Sequence, residues 1–185
     1  VLCANLPYNA ATPLIANLAM PLQVPPHPVP PHPQPLSLQG RGELLVERIA
    51  ATVQLELAQR LFGKPGSRAY GPLSVLLALR ARGGIVRKVG TEVFWPRPKV
   101  ASAVVALEVL PWAGSPLHPD AAAGFQAFLQ GLFQRRRKTL RAALKDMGRP
   151  LAPGDPRAGL RAEDLPPEEL LELFSAVRKH QDSPG

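Results

Sequence analysis

The sequence predicts an α/β domain, incomplete at its front, followed by a small all-helical domain. Three observations carry that expectation. Short apolar stretches rich in branched residues alternate with helical periodicity in the first part, whereas from Leu117 onwards the pattern is helical throughout. The chain also opens without Met directly in a strand-like run, Val1-Leu2-Cys3-Ala4. A domain that begins inside a buried strand is expected to be a fragment.

Residues 12–20 read as a helix, since Leu14, Ile15 and Leu18 share one face and Pro13 suits the first turn. Residues 21–42 break the pattern: Val24-Pro25-Pro26-His27-Pro28 recurs as Val29-Pro30-Pro31-His32-Pro33. Such proline density permits neither a helix nor a central strand, so an extended, disordered insertion is expected there. His27 and His32 have no converging ligand shell, and no metal site is assigned to them.

Order resumes with a strand at 48–53 and a helix at 55–62, then a loop at 63–67. A helix at 73–81 is expected to stop at Gly83-Gly84, and strands are expected at 85–94 and 101–110. Trp95 to Lys99 forms a proline-stiffened link between those strands. Helices are expected at 120–134, 136–147 and 167–179, with a loop at 150–156. These elements divide the chain into a partial α/β domain (1–20 and 43–112), the Pro-rich insertion (21–42) and a helical domain (113–185).

Composition narrows the partners. Lys and Arg number 22 against 14 Asp and Glu, giving a formal net charge of +8 over 185 residues. An arginine-rich excess of this kind favours a polyanion, because guanidinium groups bind phosphate bidentately and stack on bases. The single cysteine, Cys3, excludes an internal disulfide framework and fits a reducing compartment. No stretch reaches the apolar length of a membrane span, and the first residues do not resemble a signal peptide, so a cytoplasmic protein is expected.

Three segments carry candidate chemistry. In Asn5-Leu6-Pro7-Tyr8, the Asn5 side-chain carbonyl and the backbone carbonyl before Pro7 can accept hydrogen bonds from both N–H groups of an exocyclic base amine. That arrangement favours the lone pair localising on nitrogen. Pro7 adds no competing donor, and Tyr8 can stack on the base. A plain strand-end turn is the other reading, because Asn and Pro are common turn formers.

The second segment is Phe94-Trp95-Pro96-Arg97-Pro98-Lys99-Val100. Its two prolines stiffen an arm that can set Phe94 as a second wall opposite Tyr8, with Arg97 or Lys99 on phosphate. A hairpin link with Phe94 in the core stays open as the alternative. The third segment is Gln134-Arg135-Arg136-Arg137-Lys138-Thr139-Leu140-Arg141 at a helix junction, continued by Lys145 and Arg149. It reads either as a solvated face or as a phosphate-docking surface. Catalytic alternatives are weak: His118 and His180 stand apart from any nucleophile, Cys3 lacks a neighbouring base, and Glu56 lacks a paired carboxylate.

Taken in order, these segments resemble the ribosomal RNA adenine dimethyltransferase family, and within it the small-subunit (16S) branch. The matching residues are Asn5-Leu6-Pro7-Tyr8-Asn9 with Thr12-Pro13-Leu14, then 54–61, then Lys64-Pro65-Gly66-Ser67-Arg68-Ala69-Tyr70-Gly71 leading into Leu73-Ser74-Val75. Phe94 to Val100, Ser102-Ala103-Val104-Val105, Gln134 to Leu140 and Arg161-Ala162-Glu163-Asp164-Leu165 follow. The resemblance implies the C-terminal part of a Rossmann-like class I methyltransferase domain followed by the helical domain. It implies an S-adenosylmethionine-dependent enzyme that dimethylates N6 of two adjacent adenosines in a small-subunit rRNA hairpin, acting as a monomer on a pre-30S particle.

Under that resemblance Asn5 and the carbonyl of Leu6, held by Pro7, bind the target amine, and Tyr8 and Phe94 sandwich the adenine. Asn5 also borders the methyl donor. Arg97, Lys99, Arg135, Arg136, Arg137, Lys138 and Arg141 dock RNA. Two departures stand out. The Gly-rich donor loop and the acidic ribose ligand of the family do not occur in this sequence, since Gly40-Arg41-Gly42 follows a polyproline stretch rather than a strand. The chain alone is therefore expected to be inactive. The insertion at 21–42 is the second departure. A large-subunit, erythromycin-resistance type of methyltransferase and a non-catalytic RNA-binding or ribosome-assembly module are the alternatives.

Overall fold

The computed structural model describes residues 2–5 and 48–182. The helix expected at 12–20, the Pro-rich segment 21–42 and the residues Leu6, Pro7 and Tyr8 lie outside the described residues. Four strands form one sheet in the order β1 (Leu2–Asn5), β2 (Arg48–Gln54), β4 (Ser102–Val109), β3 (Ala81–Val89). β1 and β2 run parallel, while β4 is antiparallel to both β2 and β3. Three strands thus share one direction, and β4 is inserted against it.

The strands form where the sequence alternates. In β2, Ile49, Ala51 and Val53 are buried and the residues between them are not; in β4, Ala103, Val105, Leu107 and Val109 are buried. Antiparallel register places Val53 opposite Ala103, Ala51 opposite Val105 and Ile49 opposite Leu107, so one face is continuously apolar. Helices α1 (Leu55–Leu61) and α2 (Pro72–Arg80) cover it through Ala58, Leu61 and Leu77.

β3 departs from expectation. The strand begins at Ala81 and ends at Val89, and Gly83-Gly84 lie inside it rather than stopping the preceding helix. Helix α2 ends at Arg80, and the chain turns straight into extended backbone at Ala81, φ −148° and ψ 157°. Gly83 sits at φ +149°, and a Cβ there would lie 2.0 Å from the carbonyl oxygen of Ala106 on β4. Its glycine is required for the close approach of two backbones. The end expected at Phe94 is replaced by a short 3₁₀ turn, Thr91–Val93, after the strand has finished.

The last part is helical, as expected: α3 (Pro119–Gln134), α4 (Leu140–Asp146) and α5 (Pro167–Asp182). Their buried positions recur at helical spacing, with Phe125, Phe128, Leu129 and Leu132 on α3 and Leu170, Leu173, Phe174 and Val177 on α5. The rings of Phe125 and Phe128 lie 5.4 and 5.3 Å from that of Phe174. The helix expected at 136–147 starts only at Leu140, because Thr139 caps it: its Oγ1 accepts from the Ala142 N–H. Residues 135–138 form a turn instead.

Helix α2 joins the two cores. Leu77 faces the sheet, while Val75, Leu76 and Leu79 pack with Tyr70 into the helical cluster. At its end Arg80 is fully buried, with its guanidinium carbon 3.4 Å from the centre of the Trp112 ring. Ser74 fixes its start: its Oγ accepts from the Gly71 N–H at 3.2 Å and donates to the Arg60 carbonyl at 2.5 Å.

Between α4 and α5, Asp155 caps a 3₁₀ turn (Pro156–Gly159). Its carboxylate accepts from the Arg157 N–H and, at 3.0 and 2.7 Å, from the Arg157 guanidinium. The Arg157 side-chain hydrogen bond is the main reason that the Asp155 carboxyl is held below its ordinary range.

Two outcomes follow for stability. Gly83→Ala is expected to destabilise by about 2 kcal/mol or more through strain and the contact with Ala106, whereas Gly84→Ala, which meets nothing within 4 Å, stays within ~0.5 kcal/mol in urea unfolding. Asp155 stabilises the fold above the unfolded carboxyl pKa of about 3.9, and that contribution is lost as pH falls toward its lower folded value. Asp155→Asn should therefore lower stability at pH 7 and flatten the acid limb of a melting-temperature profile.

Candidate base-binding site and basic surface

The carboxyl ends of the parallel strands lie along one edge of the sheet, where open α/β sheets bind ligands. β1 ends there at Asn5, paired with Thr52 of β2. In the neighbouring row Gln54 of β2 is opposite Ser102 of β4, and Ser102 is opposite Val89 of β3. Residues 90–101 therefore leave from the same edge as Asn5. β1 and β4 are two strand spacings apart, about 10 Å.

Phe94 follows the Thr91–Val93 turn and is half-buried; its N–H donates to the Thr91 carbonyl. Arg97 is exposed and donates through Nε to the Thr91 Oγ1 at 2.9 Å, closing the arm on itself. Lys99 is exposed. At the far end of the arm the Ala101 carbonyl accepts from the Leu55 N–H at 2.9 Å, which ties it to the first residue of α1. Asn5 and this arm thus share an edge of the sheet. Leu6, Pro7 and Tyr8 follow Asn5 directly in sequence and lie outside the described residues.

The basic run divides into inward and outward members. Arg136 is committed inward: its guanidinium donates to the Glu163 carboxylate, to the Ser67 carbonyl at 2.8 Å and to the Arg68 carbonyl at 3.0 Å. The Gly66 N–H donates to the Glu163 carbonyl at 2.7 Å, and the buried Tyr70 hydroxyl donates to the Leu165 carbonyl at 2.8 Å. Burial, reinforced by the charge of Glu168, pushes the Tyr70 phenol well above its ordinary range, so it stays a donor. Three sequence motifs, at 64–71, 134–140 and 161–165, therefore meet in one clasp.

Arg135 donates to the Gly131 carbonyl and lies 3.8 Å from Asp146, which also pairs with Lys138. Arg137 and Arg141 are exposed. A cleft of about 390 Å³ beside the clasp is lined by Arg60, Arg68, Arg136, Tyr70 and the first residues of α2. Sequence reasoning does not find Arg60 and Arg68, because neither belongs to a basic run; only the fold brings them beside Arg136. Among the described residues no group of three His, Cys, Asp or Glu could hold a metal ion, and no helix is long and apolar enough to cross a membrane.

Known proteins resemble this chain along most of its length. A family model described as ribosomal RNA adenine dimethylase matches residues 1–176. The chain belongs to that family. A ribosomal RNA small subunit methyltransferase A from Ruegeria pomeroyi is 36% identical over 178 residues, which cover 96% of this chain and 56% of the relative. One of the same name from Acidothermus cellulolyticus is 36% identical, covering 100% of this chain and 56% of the relative. The chain spans about half the length of these curated relatives.

Two solved structures share the fold. A dimethyladenosine transferase from Plasmodium falciparum matches with a TM-score of 0.69 at 21% identity, over 97% of this chain and 66% of that one. The 23S rRNA methyltransferase ErmE matches with a TM-score of 0.51 at 22% identity, over 95% and 64%. The family's mixed α/β fold with a helical second half is thus the fold of this chain.

The clasp separates two kinds of basic residue. Arg136→Ala is expected to cost about 2–3 kcal/mol, because it removes three charge-assisted hydrogen bonds and leaves the Glu163 carboxylate with only the 3.9 Å contact to Arg161. Arg137→Ala should leave the urea midpoint unchanged. Equal midpoints for the two variants would show that Arg136 holds nothing together.

Proposed function

We propose that the protein of which this sequence is part dimethylates N6 of two adjacent adenosines in small-subunit rRNA, with S-adenosylmethionine as methyl donor. The observation that carries the reading is the shared sheet edge: the strand ending in Asn5 and the arm bearing Phe94 leave it together, in a chain of the ribosomal RNA adenine dimethylase family.

Asn5 and the carbonyl of Leu6 accept hydrogen bonds from the target amine, and Pro7 keeps that carbonyl free of a competing donor. Tyr8 and Phe94 hold the flipped adenine between two rings. S-adenosylmethionine, when bound, supplies an electrophilic methyl group on a sulfonium. Asn5, at the carboxyl end of a parallel strand, stands where a donor binds in sheets of this type. The attacking amine loses its proton readily after transfer, so no strong base is required of this chain.

RNA docking falls to Arg97, Lys99, Arg135, Arg137, Lys138 and Arg141, with Arg136 holding the surface in shape. The partner is small-subunit rRNA in a pre-30S particle, and the protein acts as a monomer. The small-subunit names of the curated relatives favour this over the large-subunit reading.

The test is incorporation of tritiated methyl groups into undermethylated small subunits by a protein of the relatives' full length that carries this sequence. Tyr8→Ala and Phe94→Ala should each lower incorporation by about 10- to 100-fold, matching the loss of one stacking partner. Arg137→Ala with Arg141→Ala should weaken RNA binding and flatten its salt dependence. Full activity in Tyr8→Ala, with methylation at N6, would remove the clamp from the mechanism.

A further inference from the structure

The exposed large apolar side chains of the described residues concentrate in one stretch of the chain. Among the described residues the exposed large apolar side chains are Val86, Val93, Trp95, Val100 and Leu160, and all but Leu160 belong to β3 and the arm that follows it. Trp95 is 97% exposed, more than any of the others. The arm is held from inside, by the Arg97–Thr91 hydrogen bond and the Phe94 N–H to Thr91 bond, so the indole is presented to solvent from a closed turn. A large aromatic surface in that position has an unmet partner.

The surrounding charge says what kind of partner fits. Within residues 87–100 the ionisable side chains are Arg87, Lys88, Arg97 and Lys99 against the single acid Glu92, and all of them are exposed. An exposed indole on a segment whose exposed charges are mostly cationic matches a single-stranded nucleic acid, in which the base stacks and the flanking phosphates meet the cations. An apolar protein partner would leave those cations without counter-charge.

We propose that Trp95 is a stacking platform for an unpaired RNA base next to the target adenine. The base sits on the solvent side of the arm, while Phe94, half-buried, serves the adenine site proposed at the sheet edge. This positioning role rests on the reading of that edge as the adenine site. It makes the substrate a segment with at least two unstacked bases, one flipped into the pocket and one held on the indole.

The chain's own fluorescence reads the contact. It has two tryptophans, and the other, Trp112, is half-buried with the Arg80 guanidinium 3.4 Å from its ring centre. Titration with hexa-adenylate should quench the solvent-exposed Trp95 emission, while an abasic ribose-phosphate strand of equal length should bind without quenching. Trp95→Ala should abolish that quenching and weaken hexa-adenylate binding about tenfold with an unchanged melting temperature, and Trp95→Phe should restore most of the affinity. Quenching that survives in Trp95→Ala, or equal affinity of the two proteins for hexa-adenylate, overturns the platform.

The two readings fail separately. Binding that falls with Tyr8→Ala but ignores Trp95→Ala overturns the platform and supports the pocket. Binding and quenching that need Trp95 but ignore Tyr8→Ala support the platform and count against the clamp. No hexa-adenylate binding by the unaltered chain overturns the platform and leaves the clamp to the full-length methylation test.

Discussion

Burial of α2 on both sides is the constraint on which the rest of the structure depends. Nine residues must serve the sheet through Leu77 and the helical cluster through Val75, Leu76 and Leu79. At about 1.5–3 kcal/mol for each fully buried aliphatic side chain, neither core could lose this helix. The same geometry drives Arg80 inside, where the Trp112 ring covers it and desolvation lowers its pKa. It also demands a sharp entry, supplied by Ser74 and Gly71, and a sharp exit into β3 at Ala81. The two halves of the chain are therefore coupled mechanically through one short element.

The clasp around Arg136 extends that coupling to the surface. A run of four cations, Arg135 to Lys138, would spread by mutual repulsion unless something set its geometry. Arg136 does so by turning inward to Glu163 and to two carbonyls of the 64–71 loop, while Lys138 and Arg135 share Asp146. Arg137 and Arg141 remain outward. One residue of the run is thus given to structure so that its neighbours hold a defined position. Hydrogen-bond partners, rather than spacing along the chain, distinguish the members of the run.

Much of this is legible in the sequence, for a physical reason. β2, α1, α3 and α5 have clean strand or helix periodicity, and the start of each falls within a residue or two of its expected place. The misreadings share a cause: local signals that tertiary contacts override. Gly83-Gly84 reads as a helix stop, yet Gly83 lets β3 approach the Ala106 carbonyl. Thr139 reads as one more polar residue in a basic helix, yet it caps α4 and bridges to Arg161. The inward bonds of Arg136 are equally illegible, since no spacing in the sequence reveals that Ser67, Arg68 and Glu163 surround it. Trp95 reads only as part of a stiff link, because exposure is a property of the fold.

The direction of β4 explains why the 90–101 arm lies at the edge where β1 ends. In a wholly parallel sheet the connection after β3 would have to cross a face and return to the opposite edge before the next strand began. Because β4 runs against β2 and β3, the connection through residues 90–101 stays at the carboxyl edge. The arm is tethered at both ends, at Val89 to Ser102 by the ladder and at Ala101 to Leu55 by a backbone hydrogen bond. Short tethers and two prolines leave it little freedom, so Phe94 and Trp95 are held on the same edge as the strand that ends in Asn5. Reversal of a single strand thereby sets the arm at the edge where the parallel strands end.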